Sequence, residues 1–210
     1  MSHQFHYTPS GAPYIALTTG SPIPIYLTPL KETDAEQMQK NLSIESINNA
    51  LISAPKPYTI ESARWWISQN LAGLADLSLC ALRASDPETG TLIGAASLAP
   101  HDGGFIPSYR ARIERKEGEG RDVDLGYHLH PDWRGKGITR EAVRAVVGWG
   151  MREEGVRKVV VRVLEENIES RRVVEGMSEF VRVNGMDDYM EYPENKGGGK
   201  RRCFIWEWKA

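Results

Sequence analysis

Cysteine is scarce: 210 residues hold two. Cys80 lies within the apolar run 77–82 and Cys203 in an aromatic terminal stretch. That placement suits core filling in a reducing compartment and excludes a disulfide framework. No run of about 18 apolar residues exists, which excludes a helical membrane span, and the first residues show neither the basic nor the apolar region of a secretion signal. Neither sign of charge dominates. A net charge of −2 and a pI near 6.2 argue against the dominant basic surface of a protein that coats nucleic acid. Internal repeats are absent too. These absences point to a soluble, cytoplasmic protein, monomeric or homodimeric, whose partner is a small molecule or a peptide rather than a membrane or a nucleic acid.

With 40% hydrophobic residues, the chain can bury one substantial core, so a single α/β (α+β) domain is expected over 22–210. Residues 1–21, punctuated by Pro9, Gly11, Pro13 and Gly20, read as an N-terminal arm, extended or flexible. The segments 77–83 and 91–98 flank a turn cluster at 86–90 and read as an antiparallel pair. The glycine-rich, charged stretch 100–122 reads as a long exposed connection or a substrate flap. Phe204, Trp206 and Trp208 alternate as a final strand should, and 195–202, with its glycines and basic residues, reads as the hairpin loop before it.

The chemistry concentrates around one loop, His130-Pro131-Asp132-Trp133-Arg134-Gly135-Lys136-Gly137-Ile138-Thr139. Before it, Val123, Leu125, Tyr127 and Leu129 alternate with polar residues or glycine, the period of a strand; after it, Ala142, Val143, Val146, Val147 and Met151 recur at helical spacing. Gly155 supplies a helix stop, and the β-branched run 158–164 suits a buried parallel strand. A glycine loop that opens a helix offers unpaired N–H groups and a positive dipole end to an anion, so a phosphate-bearing ligand is expected. The nucleotide motifs do not fit. A P-loop would need Gly at His130 and Ser or Thr at Gly137, and a dinucleotide fingerprint would need a third glycine at Arg140.

The order strand, glycine loop, helix and strand, followed by Asn167-Ile168-Glu169-Ser170-Arg171-Arg172-Val173-Val174-Glu175, resembles the GCN5-related N-acetyltransferase superfamily, in particular its ribosomal-protein-alanine acetyltransferase branch. Gly135 and Gly137 match the glycines that grip the pyrophosphate of acetyl-CoA, and Arg134-Gly135-Lys136-Gly137 after Trp133 resembles the branch's W-x-G-K-G form. Asp132 stands where the family carries Gln or Arg. Weaker likeness to the family's opening strand and helices is seen at 26–35 and 57–67.

The resemblance implies an acyl-CoA N-acyltransferase fold: a mixed, mostly antiparallel sheet flanked by helices, with a splayed parallel strand pair that binds CoA. It implies transfer of acetyl from acetyl-CoA to a primary amine, a protein N-terminus or a small amine, directly within a ternary complex and without a metal. Backbone groups of Leu129 and His130 would meet the pantetheine arm. Arg134, Gly135, Lys136, Gly137, Ile138 and Thr139 would hold the phosphates, and Asn167 and Ser170 the pantetheine amide and the thiolate. Asn167 also reads as a helix N-cap. Asp124, with His128 beside it on the polar face of the strand, would serve the amine. Val174 occupies the place of the family's tyrosine acid, which leaves Ser170 as the proton donor. Two other readings stay open: a CoA-binding sensor or interaction module without catalysis, and a ribosome-associated protein contacting RNA through the basic residues of 196–202.

Overall fold

The computed structural model describes residues 3–100, 120–183 and 188–209. The expected flap at 100–122 falls mostly outside them. Among the described residues the strands are β1 (Phe5–Tyr7), β2 (Pro13–Leu17), β3 (Ile25–Thr28), β4 (Ala81–Ala84), β5 (Thr91–Pro100), β6 (Arg121–Leu129), β7 (Val156–Leu164), β8 (Phe180–Arg182), β9 (Asp188–Glu191) and β10 (Lys200–Trp208). The helices are α1 (Ala35–Ser43), α2 (Glu45–Asn48), α3 (Ile60–Leu71), α4 (Ile138–Glu153) and α5 (Ile168–Glu175).

All ten strands join one sheet in the order β1-β2-β3-β4-β5-β6-β7-β10-β8, with β9 on β10. Only β6 and β7 run parallel; the other pairs are antiparallel. The mostly antiparallel mixed sheet is the one expected. Helix α4 buries Ala142, Val143, Val146, Val147 and Trp149 in the main core on one face. Gly150 lets it sit close, because a Cβ there would stand 2.6 Å from Leu98 Cδ1. On the other face α1, α2 and α3 gather a second core from Met38, Leu42, Ile47, Ala63 and Ile67 against Cys80 and Leu92. Cys203 joins a third, smaller cluster with Ile205 and Met190. Both cysteines are buried thiols.

Of two local expectations, one is sharpened and one needs correction. The N-terminal arm, read as extended or flexible, is extended and packed over its described residues: β1 and β2 form a hairpin on β3, and Ile15 and Leu17 enter the main core. Burial of that alternating pair outweighs the Pro and Gly punctuation around it. The final strand begins at Lys200, so Lys200, Arg201 and Arg202 belong to β10 and pair with β9 rather than to the loop. Arg201 stays there by stacking its guanidinium 3.7 Å from the Tyr192 ring, a contact that offsets its desolvation.

The parallel pair is short. Strand β6 is registered with β7 from Arg121 to Asp124, against Val156 to Val160. Beyond Asp124, β6 continues on β5 as far as Leu129 opposite Gly94, while β7 continues on β10. The two strands part, and a wedge opens between them at their C-terminal ends.

Candidate active site

The wedge leads into a cavity of about 470 Å³. Its floor is the end of β6, its walls are the start of α4 and the inner side of α5, and Ser46, Ile47 and Ala50 close it from the α2 side. The loop that enters α4 is shaped by two glycines. Gly135 has φ +77° and Gly137 φ +73°, while a Cβ at either would meet nothing within 4 Å. The requirement is therefore conformational, since left-handed backbone costs an ordinary residue about 1–2 kcal/mol. Gly137 is the N-cap of α4 and no side chain caps the helix. The first intrahelical bond runs from Glu141 N–H to the Gly137 carbonyl at 3.2 Å, so the amides before it point their donors out of the helix.

Most of the residues expected here do line this cavity: Leu129, Arg134, Gly135, Gly137, Ile138, Thr139, Asn167 and Ser170. Arg134 spans it, with Nη1 on Glu169 at 2.6 Å and Nε donating to the Leu129 carbonyl at 3.3 Å. Asn167 caps α5, its Oδ1 accepting from Ser170 N–H at 3.1 Å.

Three expected residues sit elsewhere. His130 donates its N–H to the Ile93 carbonyl at 2.8 Å, and its ring Nδ1 accepts from Asp132 N–H at 3.3 Å; the sheet has already used that amide. Lys136 turns back on its own loop, Nζ 2.8 Å from the Asp132 carbonyl and 5.1 Å from the centre of the Trp133 ring. Its carbonyl accepts from Gly20 N–H at 3.0 Å, so the segment after β2 buttresses the loop. Asp124 lies at the vertex of the wedge, ion-paired with Arg162 of β7, beside a separate cavity of about 150 Å³.

Sequence reasoning missed Tyr127, Arg140 and Arg172. The Tyr127 hydroxyl lies 2.7 Å from Ser170 Oγ, and both line the large cavity. Burial pushes the phenol up to about 12, so it stays protonated at neutral pH. Strand alternation does place Tyr127 on the face of Leu125 and Leu129, but only the fold brings it to a serine 43 residues away. Arg140, in the first turn of α4, donates to the Arg172 carbonyl at 2.7 Å. Three arginines then face the cavity against one carboxylate, Glu169, an electropositive lining at a helix N-terminus.

His128 also borders the cavity, and enclosure by protein lowers its pKa to about 4. It is a neutral hydrogen-bonding group at pH 7 and a weak base. Trp149 is buried. Of the adjacent tryptophans of α3, Trp66 packs on the second core and Trp65 is exposed; neither borders the cavity.

The comparisons with known proteins agree with this geometry. Residues 25–177 match the family model of the acetyltransferase (GNAT) domain. The probable N-acetyltransferase YjcK of Bacillus subtilis (strain 168) is 31% identical over 160 residues, spanning 72% of this chain and 77% of that protein. Among solved structures, Mycobacterium smegmatis RimJ in complex with CoA-disulfide is similar with a TM-score of 0.69 and 15% identity, over 94% of this chain and 87% of that one. RimL, a ribosomal L7/L12 alpha-N-protein acetyltransferase in complex with coenzyme A, is similar with a TM-score of 0.63 and 15% identity, over 91% of this chain and 96% of that one. The structures speak for the fold, and the family model together with YjcK for the lineage: this chain belongs to the GNAT family of acetyltransferases.

Proposed function

We propose that the protein transfers the acetyl group of acetyl-CoA to a primary amine by direct attack within a ternary complex, with Ser170 and Tyr127 handling the proton at sulfur. Membership of the family makes it an acetyl-CoA-dependent N-acetyltransferase; the acceptor and the residue roles are our reading. One observation carries it: β6 and β7 part directly beside the uncapped N-terminus of α4, where Arg134, Arg140 and Arg172 collect. That donor set fits a pyrophosphate, and the wedge behind it fits an extended arm with amide groups. Acetyl-CoA supplies the acyl group as a thioester, whose transfer to a neutral amine releases a thiolate.

The amides of Ile138, Thr139 and Arg140 and the guanidiniums would hold the phosphates, each charge-assisted bond contributing about 1.5–3 kcal/mol. Asn167 has its Oδ1 engaged as a cap and keeps its amide N–H₂ for a carbonyl of the arm. When Tyr127 donates to Ser170 Oγ, the serine O–H is free to protonate the departing sulfur; Ser170 recovers its proton from the phenol, and the proton that the nitrogen loses on forming the amide returns through solvent to the phenolate. The amine must arrive neutral, which at pH 7 costs about 4.6 kcal/mol for an amine of pKa ~10.4 but only about 1–1.5 kcal/mol for one near ~8. His128 is a weak base and Asp124 is engaged by Arg162, so the site favours the less basic α-amino group.

Calorimetry with CoA, followed by thiol release against a panel of amines, tests the proposal. We expect micromolar binding that Gly137→Glu abolishes by placing a like charge and a strained residue at the phosphates. Unchanged binding in that variant would sink the idea. Asp132, 83% exposed at the place of the family's Gln or Arg, favours the second reading, a CoA-binding module; binding without turnover of any amine in the panel would select it.

A further inference from the structure

Arg134 crosses the large cavity. It leaves the glycine loop, its Nε donates to the Leu129 carbonyl at the end of β6 at 3.3 Å, and its Nη1 reaches Glu169 on α5 at 2.6 Å. One guanidinium thus links the floor of the cavity to the α5 wall. Both groups it holds lie where CoA would be bound. The Leu129 carbonyl is the backbone acceptor expected to meet the pantetheine arm. Glu169 is the one carboxylate among the described residues that line the cavity, in the company of Arg134, Arg140 and Arg172.

The fold does not depend on this contact. The Glu169 side chain is 72% exposed and that of Arg134 32%, and an ion pair so open to water contributes little to stability. Its place is nevertheless defined, because Glu169 stands in the first turn of α5, whose start is fixed by Asn167 accepting from Ser170 N–H at 3.1 Å. A carboxylate set among phosphate-binding donors weakens the site in two ways. It repels the incoming anion, and it holds a donor that the anion needs. The pantetheine arm and the Arg134 bridge also claim the same Leu129 carbonyl, so they compete for that acceptor.

We propose that Glu169 gates CoA: its carboxylate holds Arg134 across the cavity until a phosphate takes over the guanidinium, and recaptures it as CoA departs. The inference rests on the acetyltransferase reading above and adds a residue that sets how tightly and for how long CoA is held. Exchange of one anion for another keeps Arg134 neutralised at each stage, so release does not strand a bare guanidinium. The planar guanidinium matches two phosphate oxygens, whereas Glu169 meets it at Nη1 alone, so the exchange runs toward the ligand when CoA is abundant. CoA is also the product that must leave after every transfer, and product release is a common limit on kcat.

The test is a double-mutant cycle on CoA binding at fixed ionic strength, with urea titration to show that each variant is folded. Glu169→Gln keeps the length of the side chain and removes its charge. Calorimetry should show CoA bound about two- to fivefold more tightly, the size of one exposed charge interaction. Chasing a fluorophore-labelled CoA with unlabelled CoA should place that gain in slower dissociation. Arg134→Met should weaken binding about tenfold or more, as loss of a charge-assisted contact does. In that background Glu169→Gln should recover clearly less than it does alone, because its partner in the exchange is gone. Unchanged or weaker binding in Glu169→Gln would overturn the gate, since the carboxylate would then only orient Arg134 for the phosphate. An equal gain with and without Arg134 would overturn it by leaving plain repulsion, and wild-type affinity in Arg134→Met would overturn it by leaving no donor to exchange. Each of these outcomes keeps the acetyltransferase reading intact. Failure of the wild-type protein to bind CoA would overturn both.

Discussion

At the scale of single residues, the site depends on hydroxyls and backbone angles. Tyr127→Phe keeps the ring packed and removes only the O–H that meets Ser170 at 2.7 Å. We expect kcat to fall about 10- to 100-fold, the usual range for part of an acid–base step, with KM for acetyl-CoA unchanged. Ser170→Ala should cost as much or more, and the double variant little beyond it, because residues acting as one unit are not additive; steady-state kinetics on the three variants decides. A tyrosine that merely packs would leave kcat alone. The glycines of this site were legible in the sequence because left-handed backbone has few other ways to be encoded. Tyr127 was not, since strand alternation marks it as core and its partner is set by tertiary contact. Arg140 and Arg172 were hidden for another reason: an arginine in an exposed helical turn looks the same whether it faces water or a phosphate.

Elements were legible where the pattern is local and periodic, and obscure where punctuation hides it. The run from β6 through the loop and α4 to β7 announces itself by a switch from period two to helical spacing and back. The β1–β2 hairpin does not, because Pro9, Gly11 and Pro13 outweigh so short an apolar pair as Ile15 and Leu17. Its contribution is measurable. Ile15 is fully buried against the main core, so Ile15→Ala should lower the free energy of unfolding by about 2–5 kcal/mol in urea titration; a detached arm would give no change. The start of α1 offers a second case. Arg83 of β4 is buried, with two nitrogens on Asp34 at 2.5 and 2.7 Å and Nε on Thr28 Oγ1 at 3.0 Å. Removing one partner strands a buried charge, so Asp34→Ala should cost about 3–5 kcal/mol, read in the same titration. The pair ties the start of α1 to the sheet, yet in the sequence its members are separated by 49 residues of unrelated pattern.

For the whole molecule, the response of stability to pH depends on two enclosed groups that oppose each other. His128 has its pKa lowered to about 4 by burial, below the ordinary value near 6.5. The unfolded chain therefore binds a proton that the folded one refuses, and the stabilisation present above about pH 6.5 is lost as pH falls toward 4. Asp76 has its carboxyl raised to about 6, first by burial and against the pull of its hydrogen bond with Ser97. Here the folded chain keeps a proton that the unfolded one releases, so the contribution is present below about pH 4 and is lost as pH rises through 6. Between about pH 4 and 6 the two slopes, each limited to about 1.4 kcal/mol per pH unit per proton, cancel. Single substitutions should expose them with opposite signs. His128→Gln removes the first and makes stability, relative to wild type, fall as pH rises from 4.5 to 5.5; Asp76→Asn makes it fall as pH drops over the same interval. Urea titrations of the three proteins at the two pH values measure this directly, and parallel shifts of both variants would show that neither group is enclosed as the fold requires. The two groups belong to the strand region around the wedge, His128 on β6 and Asp76 through Ser97 on β5, whose Ser97 is registered with Gly126 of β6.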